Sequence, residues 1–179
     1  TAHAIADLLG LDVALDPRLR ERSFGEWEGM TREEILEQYA EDYHSWRAHT
    51  GGETKHGVES RRHTGQRGAQ AIRSIIAKHA GDSAPTTLLA VGHGSWIVAT
   101  VAVLLDMDPD DLNNLGAMRN AFWTRMGVDA SRGPAEPDTW QWKLDAFNQG
   151  PAIAALTDWE NGPKELRGPN MPLWKPIMQ

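Results

Sequence analysis

The chain has 179 residues, enough for one domain with a sizeable core. A formal net charge of −7 without any Lys/Arg run argues against a nucleic-acid surface, and the lack of cysteine excludes a disulfide framework or a thiolate zinc site. No apolar stretch has the length of a membrane span and no secretory signal precedes the first residue, so the expectation is a cytoplasmic protein that engages neither membrane nor nucleic acid.

Ala2, Ile5, Ala6 and Leu9 have helical spacing and Gly10 is a natural residue to end the turn, so the chain is expected to open inside a helix. Val13-Ala14-Leu15 reads as a short strand closed by Asp16-Pro17. Residues 19–29 follow neither the helical nor the strand period and carry two glycines, which predicts a loop. Thr31 to Glu34 fits a capping box opening a helix through Ile35, Leu36 and Tyr39, with a second short helical piece over 43–47. Residues 50–57 are polar and read as a surface loop. Ser60 to His79 forms a long helix with Ala69, Ile72, Ile75 and Ile76 on one face and Gly81 at its end.

Leu88 to Val91 is a short apolar run suited to a strand buried on both faces of a parallel sheet. Gly92-His93-Gly94 permits a sharp turn, and Ser95 is a candidate N-cap for a helix over 96–105. Asp108-Pro109-Asp110-Asp111 predicts the start of another short helix. Residues 121–127 and 139–147 read as strands, the second alternating Trp140, Trp142 and Leu144 against Gln141, Lys143 and Asp145. A loop over 130–138 joins them. The domain is expected to span 1–150, with 151–179 an irregular Pro-rich tail that packs on it or trails from it.

The strand–glycine turn–helix order over 86–97 puts His93 at the carboxyl edge of a sheet, where open α/β folds bind ligands. It also aims a helix N-terminus at whatever His93 faces, which suits phosphate. A plain strand-to-helix turn that contains a histidine is the competing reading. The other reactive candidates are Glu21, Glu26 and Glu28 of the 19–29 loop, each of which a solvated surface role also explains. A carboxylic acid facing a histidine across a phosphate-friendly helix end suits phosphoryl transfer: the acid protonates the leaving alkoxide and the histidine stabilises developing charge. The remaining histidines show no metal-ligand spacing, and no metal or cofactor is expected.

Glu21-Arg22-Ser23-Phe24-Gly25-Glu26-Trp27-Glu28-Gly29 resembles the E-R-x-F-G-x-W-E-G segment of the histidine phosphatase (phosphoglycerate mutase-like) superfamily. Gly57-Val58-Glu59-Ser60 is similar to its G-G-E-S motif, Leu88 to Gly94 resembles its second histidine motif, and Asn120 stands where an asparagine usually opens the next strand. Four motifs in the right order make a specific resemblance. Trp123, Trp142 to Asp145 and Phe147-Asn148 further resemble the branch containing glucosyl-3-phosphoglycerate phosphatases. The fold this implies is a three-layer α/β/α sandwich with a mostly parallel sheet and an antiparallel edge. The function it implies is hydrolysis of a small phosphate ester, a sugar or glycerate phosphate, through a phosphohistidine. A homodimer is compatible with the resemblance.

By motif, Glu21 is the proton donor and His93 the second histidine that holds the phosphoryl group. Gly94 and Ser95 offer contacts at the helix end, Arg22, Asn120 and Arg32 contribute to substrate binding, and Glu59 fixes pocket arginines. The family's nucleophile lies in an Arg-His-Gly segment ending the first strand, and residues 1–179 contain none; Lys55-His56-Gly57 is the nearest string and follows a polar loop. Thr1-Ala2 resembles the tail of the family's R-x-x-T-A helix, so the expectation is that a strand–helix unit of at least about 30 residues lies upstream and that residues 1–179 alone are inactive. A phosphoglycerate mutase is the alternative enzyme, although Trp46-Arg47-Ala48 supplies one arginine where mutases carry a pair. A non-catalytic module that binds a phosphorylated ligand is the alternative from another class, against which the retained Glu21 speaks.

Overall fold

The computed structural model describes residues 1–79, 86–111, 115–130 and 137–150. In chain order these form α1 (Ala2–Leu9), α2 (Arg32–Arg47), α3 (Arg61–Ala77), α4 (Gly94–Leu104), β1 (Trp123–Asp129) and β2 (Gln141–Gln149). Single 3-10 turns occupy Pro17–Leu19, Gly25–Trp27, Gly52–His56 and Pro137–Thr139. The end of the long helix at Gly81, most of the 130–138 loop and the 151–179 tail lie outside the described residues.

Helices whose ends are written locally form as expected. Gly10 adopts φ 64° and ψ 34° and closes α1 onto the Ala6 carbonyl. The expected apolar face of α1 stays largely open, with Ala6 its one buried residue. At α2 the Thr31 hydroxyl accepts from the Glu34 amide at 3.3 Å, and the Glu34 carboxylate accepts from the Thr31 amide at 2.7 Å. The two helical pieces expected over 31–47 are one helix kinked at Tyr39, whose φ of −138° is not helical. Together with the 24–30 loop, α2 closes an aromatic cluster in which Trp27, Ile35, Tyr43 and Val58 are buried, with Phe24, Tyr39 and Trp46 packed against them.

α3 starts at Ser60, whose hydroxyl accepts from the His63 amide, and packs closely on α4. Gly65 and Gly68 make this approach feasible. A Cβ on Gly68 would lie 2.0 Å from Thr100 Oγ1, and one on Gly65 would lie 2.5 Å from the Ala99 carbonyl oxygen. Trp96, Ala69, Ile72 and Leu104 form the buried centre of this contact, and Met126 and Trp142 pack on it from the strands. Phe147 packs on Val98 and Ala102 of α4.

β1 and β2 form the expected antiparallel pair, with Met126 opposite Leu144 and Val128 opposite Trp142. Register irregularities beside Arg125 break the alternation toward the far end of the pair. The run at 88–91, expected as a buried strand, is not one here: it has no ladder partner among the described residues, and Leu88 and Leu89 are 41% and 55% exposed. The 13–15 segment is likewise unpaired, with Leu15 at 91%. Apolar patterning states that a strand is compatible, but only a neighbour supplies the hydrogen bonds that make one. At 108–111 the Asp108 carboxylate accepts from the Asp110 amide at 2.9 Å and from Arg62 at 2.7 Å, and residues 112–114, over which the expected helix would continue, lie outside the described residues. No helix among the described residues is long and apolar enough to cross a membrane.

Candidate active site

The helix expected to start after Ser95 begins two residues earlier than expected, at Gly94, with His93 in the cap position and no cap bond from its own side chain. The cap comes from elsewhere in the chain. Glu21 places its carboxylate on the first turn of α4, where Oε2 accepts from the Ser95 amide at 3.2 Å and Oε1 from the Trp96 amide at 2.9 Å. Oε1 also accepts from the Arg22 amide at 2.8 Å. A carboxylate on exposed helix amides combines hydrogen bonds with the favourable end of the helix dipole. Two residues selected from separate motifs, Glu21 and His93, therefore meet at one helix end. Glycine is required at Gly92, where a Cβ would lie 2.5 Å from the Trp96 ring, but not at Gly94, where the nearest atoms are 3.8 Å away.

The main chain leading to Glu21 is held from α3. Arg67, 8% exposed, uses its whole guanidinium. Nε and Nη2 donate to the two oxygens of Glu59 at 2.7 and 2.9 Å. Nη1 donates to the Arg18 and Arg20 carbonyls at 2.6 and 2.9 Å, and Nη2 to the Glu21 carbonyl at 3.1 Å. From α4, the Trp96 indole also donates to the Arg18 carbonyl, at 2.9 Å. Glu59 further accepts from the Ser23 amide at 3.2 Å. Burial, the largest influence on its carboxyl, works against ionisation; the Arg67 and Ser23 hydrogen bonds together outweigh it and hold the pKa down to about 2.

Sequence reasoning did not find Arg67. Its signal was a charge in the buried register of α3, between Thr64 and Ala71, with Glu59 just upstream. Nor did it find the buried ion pair beside it. Arg22 Nη2 donates to Glu53 Oε1 at 2.7 Å, with both side chains almost fully buried, and Arg22 Nε donates to the Glu59 carbonyl. Arg61 lies 3.9 Å from the same Glu53 oxygen, while Glu53 Oε2 has no hydrogen-bond partner among the described residues. Burial, followed by repulsion from Arg22, lowers the Arg61 pKa; burial, followed by the charge of Arg61, lowers that of His49.

The other expected binding residues are more dispersed. The amide of Ser95 is engaged by Glu21, and the Arg22 guanidinium is buried against Glu53. Arg32 sits on the first turn of α2 with its guanidinium 6.0 Å from the Tyr43 ring centre. Asn120 lies in the exposed turn before β1. Among the described residues no three His, Asp or Glu side chains converge to hold a metal ion.

A helix N-terminus beside a histidine and a carboxylate is the arrangement on which the expectation of phosphoryl chemistry rests. Residues 1–141 match the histidine phosphatase superfamily (branch 1), and the chain belongs to that family of phosphatases. It is 32% identical over 162 residues to a glucosyl-3-phosphoglycerate phosphatase of Mycolicibacterium vanbaalenii, covering 86% of this chain and 70% of that protein. The native structure of a mycobacterial glucosyl-3-phosphoglycerate phosphatase superposes with a TM-score of 0.71 at 28% identity, over 84% of this chain and 72% of that one. The same enzyme in complex with inorganic phosphate gives a TM-score of 0.69, over 83% and 70%. The fold is thus the α/β fold of these phosphatases, of which the described residues contribute the helices and the antiparallel strand pair.

Proposed function

We propose that the protein removes the phosphate from a phosphorylated sugar–glycerate metabolite, with Glu21 as proton donor and His93 as a phosphoryl-holding residue. The observation that supports this reading is that the Glu21 carboxylate and His93 share the N-terminal end of α4. The relatives' named substrate, glucosyl-3-phosphoglycerate, supports the substrate class. In the first step a histidine nitrogen forms a bond to phosphorus as the ester P–O bond breaks, and Glu21 gives its proton to the departing oxygen. In the second, Glu21 takes a proton from the water that attacks the phosphohistidine, which returns phosphate and the free histidine. The nucleophile belongs to an Arg-His-Gly segment, which residues 1–179 do not contain.

Assays of the intact gene product test the reading. Phosphate should be released from glucosyl-3-phosphoglycerate without interconversion of phosphoglycerates. His93→Ala should lower kcat by at least ~100-fold with an unchanged circular dichroism spectrum. An unchanged kcat in the folded variant would return His93 to the role of a turn residue.

A further inference from the structure

We infer that Arg67 is the positioning residue of the proposed general acid, holding the Glu21 main chain from α3 while α4 holds its carboxylate. The inference rests on the proton-donor reading of Glu21 and adds a residue that the motifs do not contain.

Residues 18–21 leave a 3-10 turn without strand partners among the described residues, so their carbonyls need donors from elsewhere. Arg67 donates to three of the four, those of Arg18, Arg20 and Glu21. Its own orientation is set by the two-point grip on Glu59, so the fork has little freedom to follow a moving loop. On the other side, the Ser95 and Trp96 amides fix the carboxylate. Glu21 is therefore held at two points by two helices, whose spacing is set by the glycine contacts of α3 with α4. Proton donation depends on the placement of the acid, and a shift of about 1 Å costs on the order of 100-fold in rate. A lysine preserves the charge facing Glu59 but has one amine in place of the fork and cannot reach the three carbonyls together.

The test uses the intact enzyme with Arg67→Lys, Glu21→Gln and the double variant, each assayed on an alkyl phosphate and on p-nitrophenyl phosphate. The alkyl ester needs a proton on its leaving oxygen and p-nitrophenolate does not. Arg67→Lys should lower kcat ~10- to 100-fold on the alkyl ester, with KM and the p-nitrophenyl rate changed less than ~3-fold. Added to Glu21→Gln it should lower kcat no further. Should Arg67→Lys fail to fold, the Glu59→Gln/Arg67→Gln pair, which leaves no lone buried charge, is subject to the same expectations. Equal losses on both substrates, or a full further loss in the Glu21→Gln background, would overturn the positioning role while leaving Glu21 as the acid. If Glu21→Gln itself is indifferent to the leaving group, the proton-donor reading falls and the role of Arg67 with it.

Discussion

Glu21 and Ser95 stand 74 positions apart in the chain and meet at 3.2 Å, so a loop side chain caps a helix far from it in sequence. Its neighbour Arg22 has a different task. Arg22 and Glu53 form an ion pair whose side chains are 2% and 1% exposed, so neither charge has water to fall back on. Removing one partner of such a pair strands the other. Arg22→Ala is expected to destabilise the protein by about 3–5 kcal/mol, read from urea denaturation of the intact protein. A loss below about 1 kcal/mol would mean that the guanidinium is not committed to Glu53 and is available for substrate, the role its motif implies.

At the scale of the elements, the α3–α4 contact sets the frame in which the acid sits. Alanine normally improves an exposed helical glycine by roughly 0.5–1 kcal/mol, but at Gly68 the new methyl would meet Thr100 Oγ1 at 2.0 Å. Gly68→Ala should therefore destabilise by about 1–3 kcal/mol in thermal or urea melts, and Thr100→Ala should recover part of that loss. Thr100 Oγ1 makes no hydrogen bond among the described residues, so its removal breaks none there. A stabilising Gly68→Ala would show that the helices are free to separate. The same elements show what sequence reveals. The cap of α2 was legible because Thr31 and Glu34 lie beside the amides they bind, whereas Ser60, expected as the first residue of the long helix, is its cap. The true cap of α4 was not legible, since Ser95 looked sufficient and Glu21 arrives from a distant loop. The 13–15 and 88–91 runs carried strand patterning, but pattern cannot provide a hydrogen-bonding neighbour. Motif resemblance picked out Glu21, Glu59 and His93, whereas Arg67, Glu53 and Arg61 act through packing that no short spacing encodes.

For the whole molecule, the Glu59–Arg67 contact joins α3 to the loop that carries the acid, so its ionisation bears on global stability. The Glu59 carboxyl titrates near pH 2 in the folded protein, against about 4.5 for an unperturbed group. A depressed folded value means that the contribution is complete above about pH 4.5 and is lost progressively as pH falls toward 2. That contribution is on the order of 3 kcal/mol. Urea midpoints measured from pH 6 down to pH 3 should fall less steeply in Glu59→Gln than in the wild type, and parallel curves would show that the pair does not control acid stability. The account centres on Glu21 as the proton donor of a histidine phosphatase, and the most direct measurement is the dependence of kcat/KM on leaving-group basicity in the intact enzyme. Across a series from nitrophenyl to alkyl phosphates, the wild type should show little dependence, because a proton neutralises the departing oxygen. Glu21→Gln should show rates that fall steeply as the leaving group becomes more basic; the same shallow dependence in both proteins would contradict the account.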